Sequence, residues 1–274
     1  MGETCVPQNP QRVVTIFHGT LGNALSFGVK PIASSILDIQ YPFPAYLKNQ
    51  VDGIEKVGSQ NAPSLERILM LKPDLILVWQ NIKAIYPLLA KISPTVIVPW
   101  RGSSAWREHL EFIAKTLGKE QESQQAWKQY YQRVDQLKLA LNNRYQDKEI
   151  SVVSPSSSFG FFIQAKNSFA GSILNDIGLH RPKLQDIDTS SGYITFSSEE
   201  KLEMIDGDIL FMLALTDKDK QFSEEILNRP LGRRLKAIKQ KHVYFVDGLT
   251  WNGSNLLAAN AILDDLEKYL VNIP

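Results

Sequence analysis

The chain has 274 residues, 43% of them hydrophobic and 9% aromatic, enough apolar side chain for one large core or two smaller ones. Thirty basic against 29 acidic residues leave a formal net charge of +1, and no dense Lys/Arg stripe occurs, which excludes an electrostatic nucleic-acid binder. No apolar run approaches the roughly 18 to 20 residues needed to span a bilayer, and Cys5, the single cysteine, excludes an intrachain disulfide and a Cys-based metal cluster.

In chain order, β-branched runs predict strands at Arg12 to Phe17, Asp74 to Trp79, Thr95 to Trp100, Glu149 to Ser154, Asp208 to Leu213 and His242 to Asp247. Helices are expected between them: Pro63 to Leu71, entered through Ser64; Ser104 to Leu117, stopped at Gly118; and Phe169 to Ile177, stopped at Gly178. A last helix runs from about Ser254 to Leu270. The alternation argues for parallel sheets with crossover helices.

The middle of the chain differs. Gln121 to Tyr145 holds neither Gly nor Pro, and Ala126, Tyr130, Val134, Leu137 and Leu141 recur at spacings of three and four. One helix of about 25 residues, roughly 37 Å long, is the expectation. Such a helix suits a strut between two lobes. A repeat supports the division: Ser64 to Ile76 aligns without gaps with Ser198 to Leu210, sharing Ser, Glu, Met and Asp at equivalent positions. The expected organisation is an α/β lobe over 1–120, a linker helix over 121–146 and a second α/β lobe over 147–274.

Ligands of open parallel sheets bind beyond the carboxyl ends of the strands, where loops and helix N-termini converge. Those positions hold His18, Trp79 with Asn81, Trp100 with Arg101, the loop around Phe159, and Trp251, with Tyr193 in a further loop. The aromatic residues would offer flat faces to a large, partly apolar ligand. Arg101 could clamp an anionic oxygen through its planar fork. His18, His109, His180 and His242 are scattered, so a direct protein cage for a metal is weakly supported. The glycine-rich dinucleotide fingerprint, the Walker loop, the G-x-S-x-G elbow and H-E-x-x-H are all missing, so the dinucleotide, triphosphate and zinc-hydrolase readings lose their best signals.

The segments VPQNPQRVVTI, VGSQNAPSLERILMLKPDLILVW, SFAGSILNDIGLHRP, YITFSSEEKL and HVYFVDGLTW followed by AANAILDDLEKYL together resemble the periplasmic binding proteins of ferric siderophore, ferric dicitrate and cobalamin importers. The resemblance covers nearly the whole chain. It implies two Rossmann-like lobes, each with a mainly parallel sheet flanked by helices, joined by one long α-helix. It also implies a shallow interlobe cleft for a ferric siderophore that keeps its iron fully coordinated, with no cofactor and no direct metal ligand.

By that resemblance Glu66 and Glu200, one per lobe, would dock on an ABC permease dimer that carries its own ATPase subunits. The protein would be a monomer in the periplasm or another extracytoplasmic space, touching a membrane only through the permease or an N-terminal anchor. Gln60 falls where ferrichrome-type members carry a basic residue, making that contact neutral here, and Trp251 matches a cleft aromatic. Cobalamin or haem binding on the same fold, a bare metal ion, and a two-lobe sugar-nucleotide transferase remain the alternatives; the last should show a diphosphate loop at a helix N-terminus.

Overall fold

The computed structural model describes residues 4–37 and 42–272. The chain divides into two compact units: Met1–Arg101, Ala105–Tyr130 and Gly253–Ala258 form one, while Gly102–Ser104, Tyr131–Asn252 and Ala259–Pro274 form the other. The second unit therefore does not keep the whole C-terminal end expected for it, since Gly253–Ala258 belongs to the first.

The first unit contains β1 (Val13–Ile16), α1 (His18–Ser26), β2 (Ala33–Ile36), β3 (Glu55–Ser59), α2 (Leu65–Met70), β4 (Leu75–Trp79), α3 (Tyr86–Leu89), β5 (Thr95–Val98) and α4 (Trp106–Leu117). Its sheet is ordered β3-β2-β1-β4-β5, and all four strand pairings are parallel. β1 and β4 are buried at every position, as strands covered on both faces must be, and so read as continuous apolar runs. β2 and β3 escaped the sequence reading for the opposite reason. Ala-Ser-Ser-Ile carries little β-branched bulk, and β3 is an edge strand with only Val57 buried.

The long helix is α5 (Glu120–Leu141). It ends four residues before the expected Tyr145, because Asn142 and Asn143 adopt left-handed φ values of 46° and 59°; asparagine enters that region more readily than other side-chain-bearing residues. Tyr130, Val134, Leu137 and Leu141 are buried as the spacing requires. Residues up to Tyr130 belong to the first unit and those from Tyr131 to the second.

The second unit contains β6 (Ile150–Ser156), β7 (Gly160–Gln164), α6 (Phe169–Ile177), β8 (Tyr193–Phe196), β9 (Ile209–Ala214), α7 (Asp217–Asn228), α8 (Lys236–Gln240), β10 (Val243–Asp247), α9 (Gly248–Trp251) and most of α10 (Leu256–Leu266). Its sheet is ordered β10-β9-β6-β7-β8. β10, β9 and β6 pair in parallel, and β7 runs antiparallel to both β6 and β8. Read from the other edge, this is the order of the first sheet with one strand reversed.

The repeat has a matching physical basis. Asp74 accepts the backbone N–H groups of Gln11 and Arg12 at 2.7 and 2.9 Å, ahead of β1. Its counterpart Asp208 accepts the N–H of Glu149 at 3.0 Å, ahead of β6. Ser64 caps α2 by accepting from Arg67 N, and Ser198 accepts from Glu200 N. The shared aspartates thus satisfy backbone groups just ahead of the first strand of each unit, and the shared serines each accept from the first turn of the helix they open, at the third residue on for Ser64 and the second for Ser198.

Candidate functional site

In the first unit, β1 ends at Ile16, and the next residue, Phe17, serves directly as the N-cap of α1. His18 is therefore the first helical residue rather than part of the expected loop. Phe17 is the hub of a ring cluster: it stacks on Trp79 (5.0 Å, 3° between planes) and on His109 (5.7 Å), meets Trp100 edge-on at 5.0 Å, and lies 4.5 Å from His18. Trp100 also meets His109 edge-on at 5.1 Å. Three strand ends and α4 converge here, where an open parallel sheet places its ligands.

Trp79 is part of the floor, not a wall: it is buried, and its indole N–H donates to the Gln60 carbonyl at 3.2 Å. That bond and the 3.4 Å approach of Gln60 Oε1 to His18 Nδ1 hold Gln60 beside the cluster. Trp100 stays half-buried, while Arg101, Asn81 and Gln80 are exposed. The Gln80 amide donates to the Trp100 carbonyl and braces that loop. Arg101 enters no ion pair among the described residues, so its guanidinium is available to an anionic group.

Burial in this cluster depresses both histidines to about pH 4; the His18 charge adds to the effect on His109, and the Gln60 hydrogen bond opposes it on His18. Both imidazoles are neutral at pH 7. His109 Nε2 lies 3.2 Å from Thr20 Oγ1, and its Nδ1 has no partner among the described residues. Phe17 and His109 were missed as site residues, because a Phe closing a strand and a His inside a helix look like ordinary core.

In the second unit the structure corrects the expected positions. Trp251 is 0% exposed; it stacks on Phe211 at 4.9 Å and donates its indole N–H to Asp265 at 2.8 Å. It is a core residue with no face to offer a ligand. Desolvation raises the Asp265 pKa, opposed by that same indole bond.

Tyr193 opens β8 and pairs with Gln164, whereas Phe159 lies beyond Gly160, which pairs with Ser156. The two aromatic residues therefore stand outside β7 at its opposite ends, separated by more than the roughly 13 Å that the strand spans. Phe159 is 73% exposed and lines a pocket of about 300 Å³ with Thr195 and Lys201.

Strand alternation sorts β6, β7 and β8 by face. Phe161, Ile163 and Phe196 point into the apolar cluster with Leu202 and Met212, while Ser154, Phe162, Gln164 and Tyr193 share the other face. Tyr193 lies edge-on to Phe162 at 6.4 Å. It donates to Asn252 Oδ1 at 3.2 Å, and the same oxygen accepts from Gln164 Nε2 at 3.1 Å. Phe162, Gln164 and Asn252 were not singled out from sequence, although the period-two alternation of FGFFIQ was there to be read.

The docking candidates are both solvent-exposed. Glu199 is engaged by Arg229, whereas neither Glu66 nor Glu200 enters an ion pair among the described residues. No group of three or more His, Cys, Asp or Glu stands together as a metal site among the described residues.

Residues 38–249 match the family described as periplasmic binding protein. The chain belongs to that family. Among curated proteins, a probable siderophore-binding lipoprotein of Bacillus subtilis is 31% identical over 97% of this chain and 84% of its own length. The achromobactin-binding periplasmic protein of Dickeya dadantii is 26% identical over 94% and 86%. Among solved structures, SirA of Staphylococcus aureus complexed with staphyloferrin B is 30% identical, with a TM-score of 0.84 over 98% of this chain and 96% of that one. The two α/β units with mainly parallel sheets expected from the sequence are the architecture of this periplasmic binding protein, and the structure sets the count at five strands in each sheet.

Proposed function

We propose that this periplasmic binding protein captures a ferric siderophore outside the cytoplasm and delivers it to the permease of an ABC importer. The observation that carries the reading is the likeness, over nearly the full length of both chains, to SirA solved with staphyloferrin B. The relatives named for siderophore and achromobactin binding support it.

Iron is cargo in this reading, held by the chelator throughout. The protein addresses the organic shell: Trp100 supplies an aromatic face, Arg101 the cation for anionic oxygens, and Gln60, Asn81, His18, Phe159 and Tyr193 further contacts. A guanidinium fork suits carboxylate or hydroxamate oxygens because it donates two parallel hydrogen bonds. Family membership speaks for binding rather than turnover. Glu66 and Glu200, which enter no ion pair among the described residues, would meet cations on the permease.

The test is titration of intrinsic tryptophan fluorescence with ferric hydroxamate, citrate-type and catecholate chelates. Saturable quenching by at least one class is expected, and R101A should weaken it about tenfold or more, on the scale of one charge-assisted hydrogen bond. A response to cobalamin or haem alone, or to no chelate, overturns the reading.

A further inference from the structure

The β7–β8 face of the second unit carries a polar network whose hydrogen bonds can be followed proton by proton. Asn252 Nδ2 donates to the Gly248 carbonyl at 2.8 Å, which fixes the orientation of that amide and turns Oδ1 toward the sheet. Oδ1 then accepts from the Tyr193 hydroxyl and from Gln164 Nε2; Gln164 Nε2 also lies 3.3 Å from Ser154 Oγ. A phenol has one proton, and here it points inward. What remains on the Tyr193 oxygen is acceptor capacity alone.

The neighbouring group has the same character. Gln164 is 2% exposed, and its Oε1 has no partner among the described residues. An unmatched buried carbonyl oxygen on Gln164, the register partner of Tyr193, together with the phenol oxygen makes the patch electron-rich, and the low local dielectric strengthens its field.

The backbone around Tyr193 is fixed in advance. The Tyr193 carbonyl accepts from Thr189 Oγ1 at 3.3 Å, and the Tyr193 N–H donates to Ser191 Oγ at 3.2 Å. Asn167 pairs with both backbone groups of Thr189, at 2.8 and 3.1 Å. Tyr193 is half-buried and is held both through its backbone and through its hydroxyl bond to Asn252.

We propose that Tyr193, with its proton committed to Asn252, acts as a hydrogen-bond acceptor that selects ferric chelates bearing an N–H donor, such as an ammonium, on their organic shell. The selection rests on the siderophore-capture reading and refines it. A chelate presenting only carboxylate or hydroxamate oxygens to this patch would set lone pair against lone pair. A donor there satisfies the phenol oxygen and is favoured by the Gln164 carbonyl. Asn252 is a positioning residue, acting through Tyr193.

The test uses the whole protein and matched pairs of ferric chelates: a tris-hydroxamate, a citrate-type and a catecholate chelate. Each is made once with a terminal primary ammonium and once with a terminal trimethylammonium, which keeps the charge and removes the donors. For the chelate class that binds, the ammonium form should bind roughly tenfold tighter, the scale of one hydrogen bond to a charged group.

Y193F should reduce that ratio to near one, which separates the hydrogen bond from the bulk of the methyl groups. N252A should do the same, while N252D, which keeps an acceptor for the phenol proton, should preserve the ratio. Equal binding of both forms by the wild-type protein overturns the proposal and leaves siderophore capture intact. An unchanged ratio in Y193F overturns it as well. Failure of every ferric chelate to bind overturns siderophore capture, and the selection with it.

Discussion

Two residues change meaning between the sequence and the structure. His109 is 3% exposed within the Phe17 cluster, and burial holds its pKa near 4, below the roughly 6.5 of an unfolded chain. Between those values the unfolded state binds the proton and the folded state does not. Stability is therefore complete above about pH 6.5 and falls as the pH drops toward 4, by about 2 kcal/mol from this one group between pH 6.5 and 5. Denaturant unfolding at several pH values should show a steeper acid decline in the wild type than in H109Q. Trp251 changes from an expected ligand contact to a core residue. W251A should cost about 3 to 5 kcal/mol in denaturant unfolding, and W251F less, because the Phe211 stack survives while the Asp265 bond is lost. No sequence pattern separates a Trp that lines a site from one buried at the same offset from a strand. That distinction lies in what packs over the ring.

At the scale of elements, the readable parts were those that carry their own punctuation. α6 spans Phe169–Ile177 with left-handed Gly178 as its stop, and α4 ends at left-handed Gly118, as the sequence reading placed them; the structure adds Ser168 as the N-cap of α6. The antiparallel pair β7 and β8 was not read, since its strands look like loops rich in Ser, Gly and aromatic residues. Its tight point is Gly160, with φ +88°, where an added Cβ would lie 2.5 Å from the Phe196 carbonyl oxygen. G160A should therefore destabilise the protein by more than about 1 kcal/mol. Hydrogen exchange should show the loss first in β7 and β8; uniform loss across both sheets would contradict a local origin.

At the scale of the molecule, the duplicated helix–strand segment puts a glutamate at the same position of each unit, Glu66 and Glu200, and neither enters an ion pair among the described residues. Reversing both, as E66K with E200K, should leave ferric-chelate affinity within about twofold and abolish uptake through the cognate permease, measured with radiolabelled iron. Normal uptake would remove both residues from the docking role. The sequence by itself determined the two α/β units, the helix that runs from one into the other, and the gapless repeat. Those features follow from local periodicity, caps and identical backbone demands, such as those met by Asp74 and Asp208. Only the tertiary structure decided which aromatic residues are walls and which are floor, that β7 runs against its neighbours, and that Tyr193 faces Asn252 rather than Phe159. Such facts depend on strand direction and on contacts between residues far apart in the chain, here 59 positions from Tyr193 to Asn252, and no local pattern encodes them.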